Sequence, residues 1–115
     1  MNINTREVIR AIDNDNYLLI TILLHNIYKE ELLIEASKIG NLKTVKYIVE
    51  QGADINALHN AALIEASKKG NLEIIKFLIA KGANIHARNN AALRYASKNG
   101  HSEIVKYLES VIKER

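Results

Sequence analysis

The 115-residue sequence contains no cysteine, no proline and no tryptophan, and its aromatic residues are limited to five tyrosines and one phenylalanine. Without cysteine, the chain can form neither a disulfide nor a thiolate-ligated metal site. Without proline, it lacks the residue that most often interrupts helices, so the composition favours helix. Because aromatic residues are scarce, isoleucine and leucine have to build most of the hydrophobic core.

Long apolar segments are also absent. The longest apolar run, residues 17–24, is far shorter than the roughly 20 residues that a membrane-spanning helix needs. Residues 1–15 lack the apolar stretch of a secretion signal and include three acidic side chains, Glu7, Asp13 and Asp15. We therefore expect a protein that has no membrane partner and resides in the cytoplasm.

The charge balance disfavours nucleic acid as a partner. The chain carries 16 Lys and Arg against 13 Asp and Glu, a formal net charge of +3. A nucleic-acid binder usually gathers its basic residues on one stripe, whereas Lys and Glu are largely interleaved here. A solvated surface of mixed charge explains this pattern. Nucleic-acid binding stays as an alternative, which rests on the net charge and on three regularly spaced lysines, Lys38, Lys68 and Lys98.

The glycines reveal a repeat of thirty residues. Gly40, Gly70 and Gly100 are spaced by this period, and so are Gly52 and Gly82. Between residues 61–78 and 91–108, 11 of 18 positions are identical. Chance does not produce such a match, and a fixed period of this length indicates a stack of repeated units.

The period predicts one domain of four units. Residues 31–60 and 61–90 are full repeats, residues 91–115 are a capping repeat, and residues 1–30 are a degenerate N-terminal cap. The cap aligns only weakly with the next unit, as is typical of an end unit. By propensity residues 17–24 would suit a buried strand, but the alignment places them on the second helix of the cap.

Local signals predict two short helices in each unit. The first spans about residues 61–69, and Gly70 ends it in the left-handed conformation. Asn71 is predicted to cap the second helix by accepting a backbone hydrogen bond. The apolar stripe of that helix comprises Leu72, Ile75, Leu78 and Ile79. Helices of this length are marginal in isolation, so the units have to stack to persist.

The segment 66–85, which reads ASKKGNLEIIKFLIAKGANI, resembles the core of an ankyrin repeat. The same pattern recurs from residue 36 and in part from residue 96, and the resemblance covers residues 32–109 well. It implies an all-α, ankyrin-type helical solenoid of about four stacked helix pairs with short inter-repeat loops. The first helices would line a concave face, and the second helices would form a convex back.

The sequence departs from the family pattern in two respects. The usual Thr-Pro-Leu-His start of the first helix is replaced by Ala-Ala-Leu-Ile and Ala-Ala-Leu-Arg, so the inter-unit hydrogen bonds of that Thr and His should be missing. The unit is also shorter than the usual ~33 residues, which predicts short loops after Ala57 and Ala87 instead of β-hairpin fingers. Units of this length are similar to those in ankyrin proteins of large DNA viruses that infect amoebae.

The resemblance implies a non-catalytic module that needs no cofactor and binds another protein on its concave face. For a viral chain this would be an adaptor that recruits a host protein in the host cytoplasm. Tyr and Arg are enriched among binding hot spots, and the column formed by Lys38, Lys68 and Lys98 predicts an acidic segment in the partner. Solvated surface residues are the alternative explanation. The predicted partner-binding residues are Glu35, Lys38, Glu65, Lys68, Lys69, His86, Arg88, Arg94, Tyr95, Lys98 and Asn99.

The sequence contains no arrangement of residues that is typical of a catalytic or metal-binding site. The four histidines lack close ligand spacing, and a capping role explains His101 at the turn between two helices. Glu35 and Glu65 recur at one repeat position, where propagation of a surface residue explains them better than acid–base catalysis does. A self-associating structural repeat is a further alternative. The polar C-terminal helix, residues 102–115, favours a monomer, and the more apolar N-terminal end offers a route to a dimer.

Overall fold

The computed structural model describes residues 5–16 and 29–114. Across these residues it contains seven α-helices and no strand, which confirms the predicted all-α fold. The predicted second helix of the N-terminal cap, over residues 17–24, lies outside the described residues. The helices are α1 (Thr5–Asp13), α2 (Lys29–Ile39), α3 (Leu42–Glu50), α4 (Ala57–Lys69), α5 (Leu72–Ala80), α6 (Ala87–Lys98) and α7 (Ser102–Glu114).

Three helix pairs, α2 with α3, α4 with α5, and α6 with α7, follow each other as an elongated stack. The first helices pack side by side in the order α2, α4 and α6, and each first helix also packs against its own second helix. Helix α1 packs against α2 and α3. The described helices are all too short or too polar to cross a bilayer.

One hydrophobic core runs through the whole stack. Leu63 in α4 and Leu78 in α5 are completely buried, and Leu108 occupies the corresponding place in α7. Leu93, the counterpart of Leu63 in α6, is partly buried and packs against the same core. Full burial of such a side chain contributes about 1.5–3 kcal/mol. A single short helix pair cannot bury these residues alone, so the stacking of units stabilises each helix.

Gly70 ends α4 as the sequence predicts. Its φ of +87° lies in the left-handed region, and its N–H donates to the carbonyl of Ala66. A Cβ at this position would lie 2.9 Å from Cε1 of His101 in the next unit. Glycine is therefore required for its backbone conformation and also for the close approach of the neighbouring unit.

The prediction that Asn71 caps α5 is wrong. Its side chain accepts no hydrogen bond from the helix N-terminus. Its amide donates to the carbonyl oxygen of Ser37, 2.8 Å away in the preceding unit. Asn41, at the equivalent position, does cap its helix by accepting from the N–H of Thr44 at 3.0 Å. His101, which the sequence predicts as a cap at the turn, likewise bonds to the preceding unit, with Nε2 donating to the carbonyl of Lys68 at 2.9 Å.

Short left-handed turns replace the family's fingers, as the missing residues predict. Residues 58–60 have φ of +53°, +57° and +64°, and residues 88–90 have φ of +55°, +56° and +58°. The right-handed part of the first helix then starts at Ala61 and Ala91. Left-handed residues other than glycine cost roughly 1–2 kcal/mol each. Hydrogen bonds offset part of this cost, including the one that Asn60 Oδ1 accepts from the N–H of Asn84 at 2.9 Å.

The last helix pair turns a polar face away from the preceding unit. Glu109 stands where the preceding unit has the buried side chain of Ile79, and it is exposed. Such a face is typical of an end unit. A second copy that stacked on this face would have to desolvate charged groups. We therefore still predict that the chain does not self-associate through this end.

Candidate functional site

A groove of about 210 Å³ lies between the first helices α4 and α6. We call it the α4–α6 groove. Small or apolar side chains, Ala61, Ile64 and Ala91, line part of it. The structure brings together here five of the eleven side chains that the sequence predicts for partner binding, namely Glu65, Lys68, Arg88, Arg94 and Tyr95.

The side chain of Arg94 is fixed by the left-handed turn that precedes its helix. Its Nε donates to the carbonyl oxygen of Asn89 at 2.9 Å, and its Nη2 donates to the carbonyl oxygen of Arg88 at 2.8 Å. A guanidinium carries five N–H donors. These two bonds set the plane of the group and leave the other three donors for a ligand.

Tyr95 lies between two cationic side chains in the groove. Lys68 Nζ is 4.4 Å from the centroid of the ring, and the guanidinium carbon of Arg94 is 5.8 Å from it. Lys68 Nζ also lies 3.3 Å from Oε1 of Glu65. Cation–π contacts contribute about 0.5–1 kcal/mol at exposed sites, so Lys68 has a local structural role in addition to its charge.

The groove has an excess of positive charge. Three cationic side chains, Lys68, Arg88 and Arg94, line it together with one carboxylate, Glu65. Within residues 5–16 and 29–114, no carboxylate forms an ion pair with either arginine. An aromatic ring, an apolar floor and unpaired guanidinium groups are the features of a surface that recognises a side chain of another molecule.

A family model described as ankyrin repeats (3 copies) matches residues 8–89 and again residues 33–113. The two matches together span nearly the whole chain. The chain belongs to the ankyrin repeat family. This confirms the family resemblance, and ankyrin repeats are generally protein–protein interaction modules that are typically non-catalytic. No curated protein matches this ankyrin repeat sequence.

The remaining predicted residues lie away from the α4–α6 groove of this ankyrin repeat chain. Lys38, Lys69 and Lys98 are exposed in the last turns of successive first helices, and Asn99 donates from its side chain to the carbonyl of Lys68 at 3.0 Å. Glu35 is half-buried on α2. All of these side chains except Asn99, which directly follows α6, belong to the first helices.

His86 is engaged within its own inter-repeat loop. Its Nδ1 lies 2.7 Å from Oδ1 of Asn90, and its backbone N–H donates to Oδ1 of Asn84 at 3.0 Å. The ring is therefore held against the left-handed turn. In the part of the chain that the structure describes, no three His, Cys, Asp or Glu residues gather as a metal site.

Sequence reasoning missed two parts of the site. It did not predict the apolar floor, although the recurring Ala61 and Ala91 signal that the two first helices approach closely. It also missed the role of the turn carbonyls in orienting Arg94. A signal was present in the alignment, because Arg88 and Arg94 stand where the preceding unit has Leu58 and Ile64. Where one unit departs from an otherwise regular repeat, stacking does not require the residue type of the other units at that position.

Proposed function

We propose that this ankyrin repeat chain binds another protein on the face formed by its first helices, with the α4–α6 groove at the centre of contact. The fixed guanidinium of Arg94 beside the ring of Tyr95 carries the proposal. Both side-chain types are enriched in binding hot spots, and a pre-oriented side chain loses little conformational entropy when a partner binds. No step of chemistry is needed for this role.

The second helices carry lysine–aromatic contacts of the same kind as that between Lys68 and Tyr95. Lys46 Nζ lies 5.9 Å from the ring of Phe77, and Lys76 Nζ lies 5.6 Å from that of Tyr107. The first-helix face differs by the guanidinium of Arg94, which lies 5.8 Å from the ring of Tyr95. This guanidinium favours the first-helix face as the binding surface.

The lysine column supports an acidic segment in the partner. Lys38 and Lys98 are exposed near the ends of α2 and α6, and cations of this kind raise the association rate with an acidic surface. Lys68 is the exception, because it packs over Tyr95 and pairs with Glu65. Charge reversal at Lys38 and Lys98 is therefore the cleaner probe of the column.

In its more specific form, the proposal is that the chain acts as a viral adaptor that recruits a host protein in the host cytoplasm. Two observations support it: the short unit of thirty residues, and the richness in Ile, Asn and Lys, whose codons suit an AT-rich genome. The adaptor would act as a monomer. Light scattering over a range of concentrations tests this last point, and a mass that doubles with concentration would contradict it.

A random-peptide display library tests the proposed function even while the partner is unidentified. Peptides are selected on the immobilised chain, and their binding kinetics are compared for a Lys38→Glu, Lys98→Glu variant and for a control that reverses two exposed charges on a second helix, Lys106→Glu with Lys113→Glu. We expect roughly tenfold slower association with the first variant and little change with the control. Failure to select any peptide, or equal effects of both variants, would contradict the proposal.

A further inference from the structure

The positive charge of the α4–α6 groove is concentrated on its two arginines. The carboxylate of Glu65 lies beside Lys68 at 3.3 Å, so these two charges largely offset each other. Arg88 is exposed, and across the described ranges neither it nor Arg94 has an anionic partner. The site left between them is suited to an anion.

Arg94 presents its free donors in a fixed plane. The carbonyl oxygens of Asn89 and Arg88 hold Nε and Nη2, which leaves both N–H groups of Nη1 and the second N–H of Nη2. A planar guanidinium edge matches the two oxygens of a carboxylate. Because the side chain is already ordered, binding requires little further loss of rotamer freedom.

The composition of the groove favours a carboxylate over a phosphate group. Ala61, which is half-buried, offers some apolar surface to the methylene groups of an acidic side chain, whereas Ile64 and Ala91 are buried beneath it. The nearby carboxylate of Glu65 repels a phosphate dianion more strongly than a monoanion. The volume of about 210 Å³ also suits one side chain rather than a nucleotide.

We propose that the α4–α6 groove binds the carboxylate of a glutamate or aspartate side chain within an extended segment of the partner, with Arg94 and Arg88 as hydrogen-bond donors. This inference rests on the proposed function, and it assigns the direct hydrogen bonds to the anion to the arginine pair, while the lysine column acts on the association rate. The preceding unit lacks this arginine pair, because Leu58 and Ile64 occupy the equivalent positions there.

The test uses three capped pentapeptides, Ala-Leu-Glu-Leu-Ala and its counterparts with glutamine or phosphoserine in the centre. Each is titrated into the ¹⁵N-labelled full chain while the NMR signals of residues 88–95 and of the Arg94 Nε–H are followed. We expect saturable shifts from the glutamate peptide with a dissociation constant on the order of 1 mM. The glutamine peptide should bind roughly tenfold more weakly, since charge-assisted hydrogen bonds are the stronger ones.

Two variants and one control locate the site. Arg94→Leu should weaken binding of the glutamate peptide about tenfold, and Arg88→Leu should do so by a similar factor without disturbing the bonds between Arg94 and the turn. Lys106→Leu removes an equal charge from the second helix α7, outside the first-helix face, and should leave binding unchanged. Comparable effects of all three variants would overturn the assignment.

Two further results would also overturn it: glutamine binding as tightly as glutamate, or phosphoserine binding more tightly. A failure of this carboxylate site can be distinguished from a failure of the proposed function. If library-selected peptides still bind the first-helix face of the Arg88→Leu and Arg94→Leu variants with unchanged affinity, the carboxylate site is refuted while the binding function stands. If no peptide is selected at all, both proposals fail together.

Discussion

At the scale of single residues, polar side chains at one repeat position connect successive units. Asn71 donates to the carbonyl of Ser37, His101 donates to the carbonyl of Lys68, and Asn41 donates to the carboxylate of Asp13 at 3.1 Å. Each bond contributes about 1 kcal/mol net, and more would be lost if a buried partner were left unpaired. For Asn71 and His101, a glycine of the preceding unit, Gly40 and Gly70 respectively, leaves the space for this contact.

Gly70→Ala and Gly82→Ala form a matched pair that tests this contact. Both glycines have positive φ, +87° and +103°, so each alanine should cost about 1 kcal/mol through backbone strain. Only at Gly70 does the new Cβ meet the His101 ring, at 2.9 Å, whereas nothing lies within 4 Å at Gly82. Urea unfolding should therefore show a loss about 1 kcal/mol larger for Gly70→Ala. Equal losses would contradict the contact.

At the scale of elements, the left-handed turn before each first helix shapes the candidate site. It takes the place of a projecting finger and directs two carbonyl oxygens towards Arg94. A right-handed start at residue 88 would direct these carbonyls along the helix axis instead, where they would accept from the next turn. The shortened repeat thus creates the geometry that orients the guanidinium.

Leu58 is the first residue of the left-handed turn before α4. The sign of the stability difference between two substitutions at this position tests the handedness of the turn. It is 67% exposed with φ of +53°. The effect of a substitution on stability therefore depends little on packing and mainly on the backbone conformation. Leu58→Gly should be more stable than Leu58→Ala by about 1 kcal/mol, because glycine tolerates the left-handed region. In a right-handed helix the order would be reversed by about the same amount. Thermal or urea unfolding of the two variants measures the difference.

The repeat period made much of the fold predictable, down to the start of the first helix at Ala61 and its end at Gly70. The role of Asn71 was not predictable from its position before a helix, because Asn41, at the equivalent position, both caps its helix and donates to Asp13, whereas Asn71 only donates to Ser37. The orientation of Arg94 was equally hidden, since it depends on backbone carbonyls that no side-chain pattern reports.

At the scale of the whole molecule, each helix pair depends on its neighbours. Leu63 lies in α4 between α2 and α6 and is completely buried, whereas its counterpart Leu93 is partly buried in the last unit. Leu63→Ala should therefore cost about 3 kcal/mol, and Leu93→Ala should cost clearly less. Both variants should unfold in a single transition. Independent unfolding of the units, or equal losses, would contradict a cooperative stack.

The central claim is that the stack presents one face, formed by the first helices, to a protein partner. The most direct measurement maps a library-selected peptide on the ¹⁵N-labelled chain by NMR, through shifts of the backbone amides. The largest shifts should fall on residues 61–68 and 88–95, on both sides of the α4–α6 groove. Shifts concentrated on the second helices α3, α5 and α7 would contradict it.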